Sequence, residues 1–182
     1  YQRWNLASFM GRVNYNYKDR YLLTVSARYD GSSRLAPGHK WVLFPSAALA
    51  WRVKEESFLK DVDCLSNLKL RLGWGITGNT AIDPYKTQGN LEYGRYSYGS
   101  NGVLAFYQKE MPNPNLSWEK TEQWNAGIDF GFLNGRIGGS VDLYLQNTND
   151  LLMDRQLPIV SGFGNVTTNI GQIRNKGLEV TL

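Results

Sequence analysis

Residues 68–77 read LKLRLGWGIT, and this stretch decides the fold class. Every second residue has a large apolar side chain: Leu68, Leu70, Leu72, Trp74 and Ile76. The intervening residues are charged, small or polar: Lys69, Arg71, Gly73, Gly75 and Thr77. A period of two is typical of a β-strand, whose side chains point alternately to opposite faces. The stretch therefore predicts a strand with one apolar and one polar face, and the core of a soluble protein seldom needs so strict an alternation.

The same alternation recurs along the chain. Together with the first stretch it predicts about seven strands, at residues 6–17, 21–30, 43–52, 68–77, 123–132, 136–146 and 178–182. Pro45 lies inside the third strand and has no N–H to donate, so we expect a bulge or irregular pairing beside it. Asn134-Gly135, between the fifth and sixth strands, predicts a tight type I′ turn.

The connections between these strands alternate in length. Short turns near Asp19, Asp61 and Gly135 lie on one side, and long segments at about 31–40, 78–118 and 147–175 lie on the other. A structureless segment of roughly forty residues would argue against a compact soluble domain. Outer-membrane barrels, in contrast, have long extracellular loops and short periplasmic turns. The pattern therefore predicts an all-β, antiparallel, up-and-down transmembrane β-barrel in the outer membrane of a Gram-negative bacterium.

Strand length and aromatic positions agree with this class. About ten residues at roughly 3.3 Å each, tilted by about 40°, rise roughly 25 Å, which is the height of the outer-membrane apolar band. Aromatic residues form two predicted interfacial belts. The turn-side belt contains Tyr15, Tyr17, Tyr21, Trp51, Phe130 and Phe132, and the loop-side belt contains Tyr29, Trp74 and Trp124. Because the chain begins and ends in strand-like sequence, we expect an incomplete, internal segment of a larger barrel.

Composition excludes several other classes of protein. The chain has 182 residues, of which 13% are aromatic and 19 are glycine, and its mean hydropathy is −0.42. No run approaches the roughly 18 apolar residues of a transmembrane helix. The net charge is +4, but the basic residues are scattered, which argues against a nucleic-acid partner. Cys64 and His39 are each the only residue of their type, so we expect no catalytic residues, no metal site and no cofactor.

One motif imitates a nucleotide-binding site. Gly73-x-Gly75-x-x-Gly78 has the spacing of the dinucleotide fingerprint. No amphipathic helix follows it, so a phosphate would have no helix N-terminus to bind. We interpret the glycines as residues that leave room inside the barrel.

Charged residues recur on the polar faces of the predicted strands. The candidate lumen-facing charges are Arg12, Arg28, Asp30, Lys69, Arg71, Asp129 and Asp142, with Glu179 on the last strand. They could mark a solute path or a catalytic cluster. Opposite charges on neighbouring strands more often pair with one another or bind a plug, and we favour that structural role.

The long segments are rich in aromatic residues. The candidate contacts with a substrate or a lid protein are Trp41, Tyr85, Tyr93, Tyr96, Tyr98 and Tyr107. Such side chains could stack on sugar rings, or pack on a lid. They could equally pack on one another and hold the loops together, and the sequence leaves both roles open.

Five sequence motifs, called phrases below, narrow the class of protein to a family. They are Tyr29-Asp30-Gly31-Ser32-Ser33-Arg34; Phe44-Pro45-Ser46 with Trp51-Arg52 and Glu55-Glu56-x-Phe58; Leu68-Lys69-Leu70-Arg71 running to Gly75-x-Thr77-Gly78-Asn79; Asn113-Pro114-Asn115-Leu116-x-Trp118-Glu119; and Asn175-Lys176-Gly177-x-Glu179. In this order they resemble the barrels of the SusC/RagA family of TonB-dependent transporters. The resemblance covers nearly the whole chain.

The resemblance has specific implications. It implies a 22-stranded barrel with an N-terminal plug, driven by the inner-membrane TonB complex and capped by a SusD-like surface lipoprotein. It also implies import of large nutrients, either oligosaccharides or peptides. Residues 1–182 would then be part of the barrel domain, without the plug and the remaining strands.

Three alternatives remain open at this point. One is a siderophore- or vitamin-type TonB-dependent receptor, and another is an outer-membrane enzyme, which would need a nucleophile, a base and an orienting group. The third is a soluble carbohydrate-binding β-sandwich, in which the apolar face packs against a second sheet. The barrel predicts instead that this face stays exposed on a single sheet with two unpaired edges. The predicted members of the apolar face are Leu23, Val25, Leu70, Leu72, Ile128, Val141 and Leu143.

Overall fold

The computed structural model describes residues 2–182, and most of them lie in β-strands. In chain order the strands are β1 (Leu6–Tyr17), β2 (Tyr21–Ser32), β3 (Trp41–Arg52), β4 (Leu65–Asn79), β5 (Leu91–Tyr98), β6 (Asn101–Gln108), β7 (Glu110–Met111), β8 (Glu119–Phe132), β9 (Ile137–Asn149), β10 (Leu152–Gln156), β11 (Asn165–Asn169) and β12 (Gln172–Thr181). Two single-turn 3₁₀ helices, Val53–Glu55 and Ile159–Ser161, interrupt the connections. Among the described residues, no helix has the length and apolar character needed to cross a membrane.

The seven long strands form one sheet in the order β1-β2-β3-β4-β8-β9-β12. Every neighbouring pair in this sheet is antiparallel, and β1 and β12 are its two edges. The predicted strands correspond to these seven, and most of them extend a few residues further toward the loop side. The prediction of a seven-stranded antiparallel sheet with sequential pairing is confirmed.

Two tight turns join strands at the short-loop end. The β1–β2 turn contains Lys18, Asp19 and Arg20, as the sequence predicted, and Lys18 and Asp19 both have a φ of +53°. The β8–β9 turn is longer than the predicted two residues, since the last pair of the ladder is Phe132 with Ile137. The Leu133 N–H donates to the Cys64 carbonyl at 3.0 Å, which ties this turn to the segment entering β4.

No bulge is found at Pro45, but the irregular pairing that was the other expectation is present on its β4 side. Pro45 pairs with Ala27 in an uninterrupted β2–β3 register. On the other side, the β3–β4 ladder ends at the pair Ser46–Gly75, so Pro45 lies just beyond it. No ladder hydrogen bond to β4 therefore requires the N–H that proline lacks. The register shift occurs elsewhere, between Leu65 and Asn67 in β4.

The long loops contain more regular structure than the alternation predicted. The segment after β4 contains the β5–β6 hairpin, and the segment after β9 contains β10 and β11. A small sheet in the order β10-β11-β7 joins these two segments, and its β7–β11 pair is parallel. The sequence pattern predicted no strands in the long segments at 78–118 and 147–175, so it missed β5, β6, β7, β10 and β11.

A small hydrophobic core lies where β3 and β4 separate. Its buried members are Leu35, Phe44, Leu116 and Trp118, and Val42, Ile76, Ile82 and Leu152 pack against them. The Phe44 and Trp118 rings meet edge to face with 5.3 Å between centroids, and the Trp118 indole donates to the Lys40 carbonyl at 2.9 Å. This loop core fastens three loops to the end of the sheet.

Gly78 tests the packing of the loop core. A Cβ at this position would lie 2.6 Å from Cε1 of Phe44 and 2.9 Å from Cε3 of Trp118. Because neither ring has room to move inside a buried cluster, Gly78→Ala should lower the free energy of unfolding by about 1–3 kcal/mol. The measurement is urea unfolding of the full-length protein from lipid vesicles.

Gly11→Ala is the matched control, because nothing lies within 4 Å of a Cβ built there. We expect it to be neutral or slightly stabilising, since alanine restricts the unfolded chain. Equal destabilisation by the two variants would contradict the described packing of the loop core.

Candidate functional site: the two faces of the sheet and the loop rim

One face of the seven-stranded sheet is apolar. The strand register aligns Leu23, Leu49, Leu72, Ala126, Leu143 and Leu178 in a single row across six strands. Among the predicted members of this face, Leu23, Val25, Leu72, Ile128 and Leu143 are exposed, while Leu70 and Val141 are half-buried. The β-sandwich alternative requires a second sheet that covers these residues. Among the described elements, no second sheet packs over them. So large an exposed apolar surface indicates lipid or another apolar medium as its natural solvent.

Aromatic side chains lie on the apolar face in two groups, one at its turn end and one a single same-face pair beyond Leu72 toward the loops, and a glutamate binds each group. At the turn end, Tyr21 and Trp51 stack with 6.1 Å between ring centroids, and both donate hydrogen bonds to Glu56, at 2.7 and 3.1 Å. These two donors lower the pKa of the Glu56 carboxyl group and keep it ionised. Toward the loop end, the indoles of Trp74 and Trp124 both donate to Glu122, at 2.9 and 3.1 Å. An apolar ring with its polar atom anchored at one edge is suited to a membrane–water interface.

The opposite face is polar, and Arg71 is the centre of its charge network. The Arg71 guanidinium donates to both carboxylate oxygens of Asp129 at 2.8–3.1 Å and to Asp142 at 2.8 Å. The three residues come from β4, β8 and β9. Gly127 lies beneath them, and a Cβ there would be 2.9 Å from the guanidinium. The glycine thus lets the ion cluster lie against the strand.

The other predicted charges of the polar face divide into two groups. Arg28 forms an ion pair of 2.7 Å with Asp30, whose side chain is only 5% exposed, and the guanidinium also lies over the Phe44 ring. Arg12 and Lys69 have no ion pair within residues 2–182. A role for these charges in a solute path stays a prediction.

The predicted loop aromatics occupy three different places. Trp41 belongs to β3 and not to a loop, and it stacks on Tyr29 with 5.0 Å between centroids, next to the apolar face. Tyr85 donates to the Arg3 carbonyl at 3.3 Å. Tyr93, Tyr96, Tyr98 and Tyr107 lie on the β5–β6 hairpin. The structure therefore brings together only these last four of the six.

The β5–β6 hairpin exposes apolar side chains on both of its faces. Tyr93 pairs with Phe106 on one face, and Tyr96 pairs with Val103 on the other, beside Tyr98 and Tyr107. The exposed fractions of Tyr93, Tyr98 and Phe106 are 71%, 77% and 67%. An isolated two-stranded hairpin is only marginally stable in water, so this one is suited to being covered by another surface.

Several loop contacts gave no periodic signal in the sequence. The Asn113 side chain donates to the Thr167 carbonyl at 2.9 Å, and the Asn169 side chain both accepts from the Ser117 N–H and donates to its carbonyl. Lys86 binds Glu110 at 2.6 Å. Only the phrase at 113–119 marked this region, and the structure explains it: Leu116 and Trp118 enter the loop core while Asn113 fastens β11.

Metal-ligating residues do not gather anywhere in residues 2–182, where no group of three or more His, Cys, Asp or Glu has the geometry to hold an ion. Cys64 is free and exposed at the turn end, and His39 lies in the exposed loop before β3.

A sheet of this kind, with a lipid-suited face, a polar face and long structured loops at one end, is the wall of an outer-membrane barrel. Comparison with known proteins agrees. The family model described as "TonB dependent receptor-like, beta-barrel" matches residues 1–182. The TonB-dependent receptor SusC of Bacteroides thetaiotaomicron is 47% identical over 99% of this chain, which spans 18% of that protein. The structure of the RagAB peptide transporter superposes with a TM-score of 0.86 and 32% identity, covering 97% of this chain and 19% of that one.

The chain belongs to the TonB-dependent receptor-like β-barrel family. Its similarity to SusC and RagAB confirms the resemblance carried by the five phrases, and its sheet is part of a larger barrel. The siderophore receptor PirA of Pseudomonas aeruginosa shares the fold, with a TM-score of 0.65 at 16% identity. The chain spans 18% of the length of SusC and 19% of the matched chain in the RagAB structure.

Leu72 and Gly73 test the assignment of the two faces. Leu72 is 58% exposed on the apolar face, so in the full-length protein Leu72→Arg should place a charge near the bilayer midplane and reduce folding into vesicles by about 2–4 kcal/mol. Gly73→Arg should cost much less, because its side chain would point to the polar face. Only Cβ of Asn125, at 3.8 Å, lies near a Cβ built at Gly73.

Both variants should be measured by reversible folding into lipid vesicles, with the level at the cell surface as a second readout. Equal penalties would mean that this sheet does not meet lipid. A larger penalty at Gly73 than at Leu72 would mean that the faces are reversed.

Proposed function

We propose that the protein carrying this segment is an outer-membrane active transporter that imports large nutrients, either oligosaccharides or peptides, with energy from the TonB complex. The observation that carries the proposal is the pairing of a lipid-suited face with a polar face on a sheet that superposes on RagAB with a TM-score of 0.86. A wall of this chemistry separates lipid from a wet lumen. The 47% identity to SusC supports the same assignment.

The proposal assigns residues 1–182 to one part of a barrel domain. The edge strands β1 and β12 offer free backbone donors and acceptors, and in lipid such groups need partners. Further strands of the same protein would pair with both edges and close the barrel. A plug domain inside that barrel would control passage and contact TonB.

A SusD-like surface lipoprotein is the proposed partner at the loop end. The β5–β6 hairpin supports this assignment, because Tyr93, Tyr96, Tyr98 and Phe106 are highly exposed on both of its faces. Aromatic residues are enriched at protein–protein interfaces. A lid resting on the hairpin would bury apolar area that the chain itself leaves open.

Transport without chemical conversion fits the relatives, which are receptors and transporters. We propose that this protein, likewise, is not an enzyme. Its polar face carries ion pairs and amides in place of an activated nucleophile and base.

Growth of a deletion strain tests the proposed function. A strain that lacks the full-length gene should fail to grow when one oligosaccharide or peptide mixture is its sole carbon or nitrogen source, and the wild-type gene should restore growth. The same gene with Tyr96→Ser and Tyr98→Ser should insert normally, because both side chains are exposed, but should retain less lipoprotein on purification.

Deletion of TonB should abolish the restored growth. Growth of the deletion strain on every oligosaccharide and peptide source, together with loss of growth on an iron chelate, would contradict nutrient import and favour a siderophore receptor.

A further inference from the structure

A basin on the polar face has no assigned role. It lies on β8, β9 and β12, has a volume of about 430 Å³, and is lined by Gln123, Asn125, Tyr144, Gln146 and Asn175, with Arg71, Asp142, Leu143 and Glu179 completing its wall. All of its lining residues except Leu143 are polar. A volume of this size accommodates one or two sugar rings or a few peptide residues.

The strand register arranges the basin in rows. Gln123, Gln146 and Asn175 are partners across β8, β9 and β12, so three side-chain amides form a line. Neighbouring strands are about 4.8 Å apart, and the line therefore covers roughly 10 Å. In the next row Asn125 pairs with Tyr144, and Tyr144 pairs with Gly177.

Tyr144 forms the floor of the basin because Gly177 has no side chain. A Cβ at Gly177 would lie 2.6 Å from both Cε1 and the hydroxyl oxygen of Tyr144. The glycine thus allows the aromatic ring to lie against the β12 backbone, beneath the row of amides. An aromatic surface flanked by hydrogen-bonding groups binds amphipathic rings well.

The amides of the basin have free hydrogen-bonding capacity. Gln123 donates to Asn125 at 3.2 Å, but across residues 2–182 the side chains of Gln146 and Asn175 and the Tyr144 hydroxyl have no protein hydrogen-bond partner. A side-chain amide donates and accepts at once. Two adjacent amides therefore match a pair of neighbouring hydroxyl groups, each of which also donates and accepts.

The charge of the basin selects against anions. Its single guanidinium, on Arg71, is already bound to Asp129 and Asp142, and Glu179 adds a further carboxylate. Carboxylates thus outnumber the basic group, and the described lining residues include no free cation. A phosphorylated, sulfated or carboxylated ligand would meet repulsion there, whereas an uncharged one would not.

We propose that this basin is a wall subsite that binds neutral oligosaccharides, with the Tyr144 ring as a stacking surface and Gln123, Gln146 and Asn175 as partners for hydroxyl groups. The proposal rests on the proposed function, and it selects the neutral glycan among the nutrients named there.

The test is isothermal titration calorimetry of the purified full-length protein with maltohexaose, cellohexaose and xylohexaose, and with a neutral and a basic hexapeptide. The wild type should bind at least one sugar. Gln146→Leu removes one amide at similar volume and should weaken that affinity about 10-fold. Tyr144→Leu should weaken it by a similar factor through loss of the ring.

Thr77→Val is the matched control, because Thr77 lies on the polar face of β4 outside the basin and is exposed. It should bind like the wild type. Heat-modifiable migration on gels checks that each variant has folded.

Three results would overturn the subsite. The wild type could bind none of the sugars, or a hexapeptide could bind better than every sugar, or Gln146→Leu could bind a sugar as tightly as the wild type. Normal sugar binding by both basin variants with increased entry of large antibiotics would show that the basin faces the plug. If the growth experiment still shows import in any of these cases, the proposed subsite is wrong but the proposed transport function is supported.

Discussion

Backbone N–H and C=O groups that enter a lipid bilayer must find partners within the protein, because hydrocarbon offers none. The seven-stranded sheet meets this constraint with antiparallel ladders, the longest of which joins β4 to β8 from Leu65 to Asn79, with one register shift between Leu65 and Asn67. Once the ladders are fixed, side chains have only two directions available. The apolar face, the aromatic groups anchored on Glu56 and Glu122, and the polar face all follow from that division.

Glycines then determine what the polar face can hold. Gly127 leaves space for the Arg71 cluster, and Gly177 leaves space for the Tyr144 ring, so large polar groups lie close to a thin wall. At the loop end, Gly78 plays the same part for Phe44 and Trp118, which fill the gap where β3 and β4 separate. The glycine spacing that imitates a nucleotide-binding motif thus reflects packing within a continuous strand, since β4 extends through Gly73, Gly75 and Gly78 to Asn79.

The periodic part of this structure was predictable from the sequence, and the remainder was not. Period-two alternation locates β4 and its neighbours and assigns Leu72 and Gly73 to opposite faces, because the alternation is present in the sequence of each strand by itself. The loop core joins Leu35 and Phe44 to Leu116 and Trp118, far apart in the sequence, and the β7–β11 pair contains only two partners. Such contacts leave no local pattern. The Arg71 cluster lies between these cases: its residues were predicted to face the lumen, but their mutual pairing depends on register.

The assignment of the two faces depends most directly on the alternation of environment along β4, and a spin-label scan measures this alternation. Single cysteines at positions 68–77 of the full-length protein, with Cys64 replaced by serine, would be labelled with a nitroxide in lipid vesicles. Accessibility to oxygen, which dissolves in lipid, should oscillate with a period of two and peak at Leu68, Leu70, Leu72 and Trp74, whose side chains belong to the apolar face. A flat profile, or maxima at Lys69, Arg71 and Gly73, would contradict it.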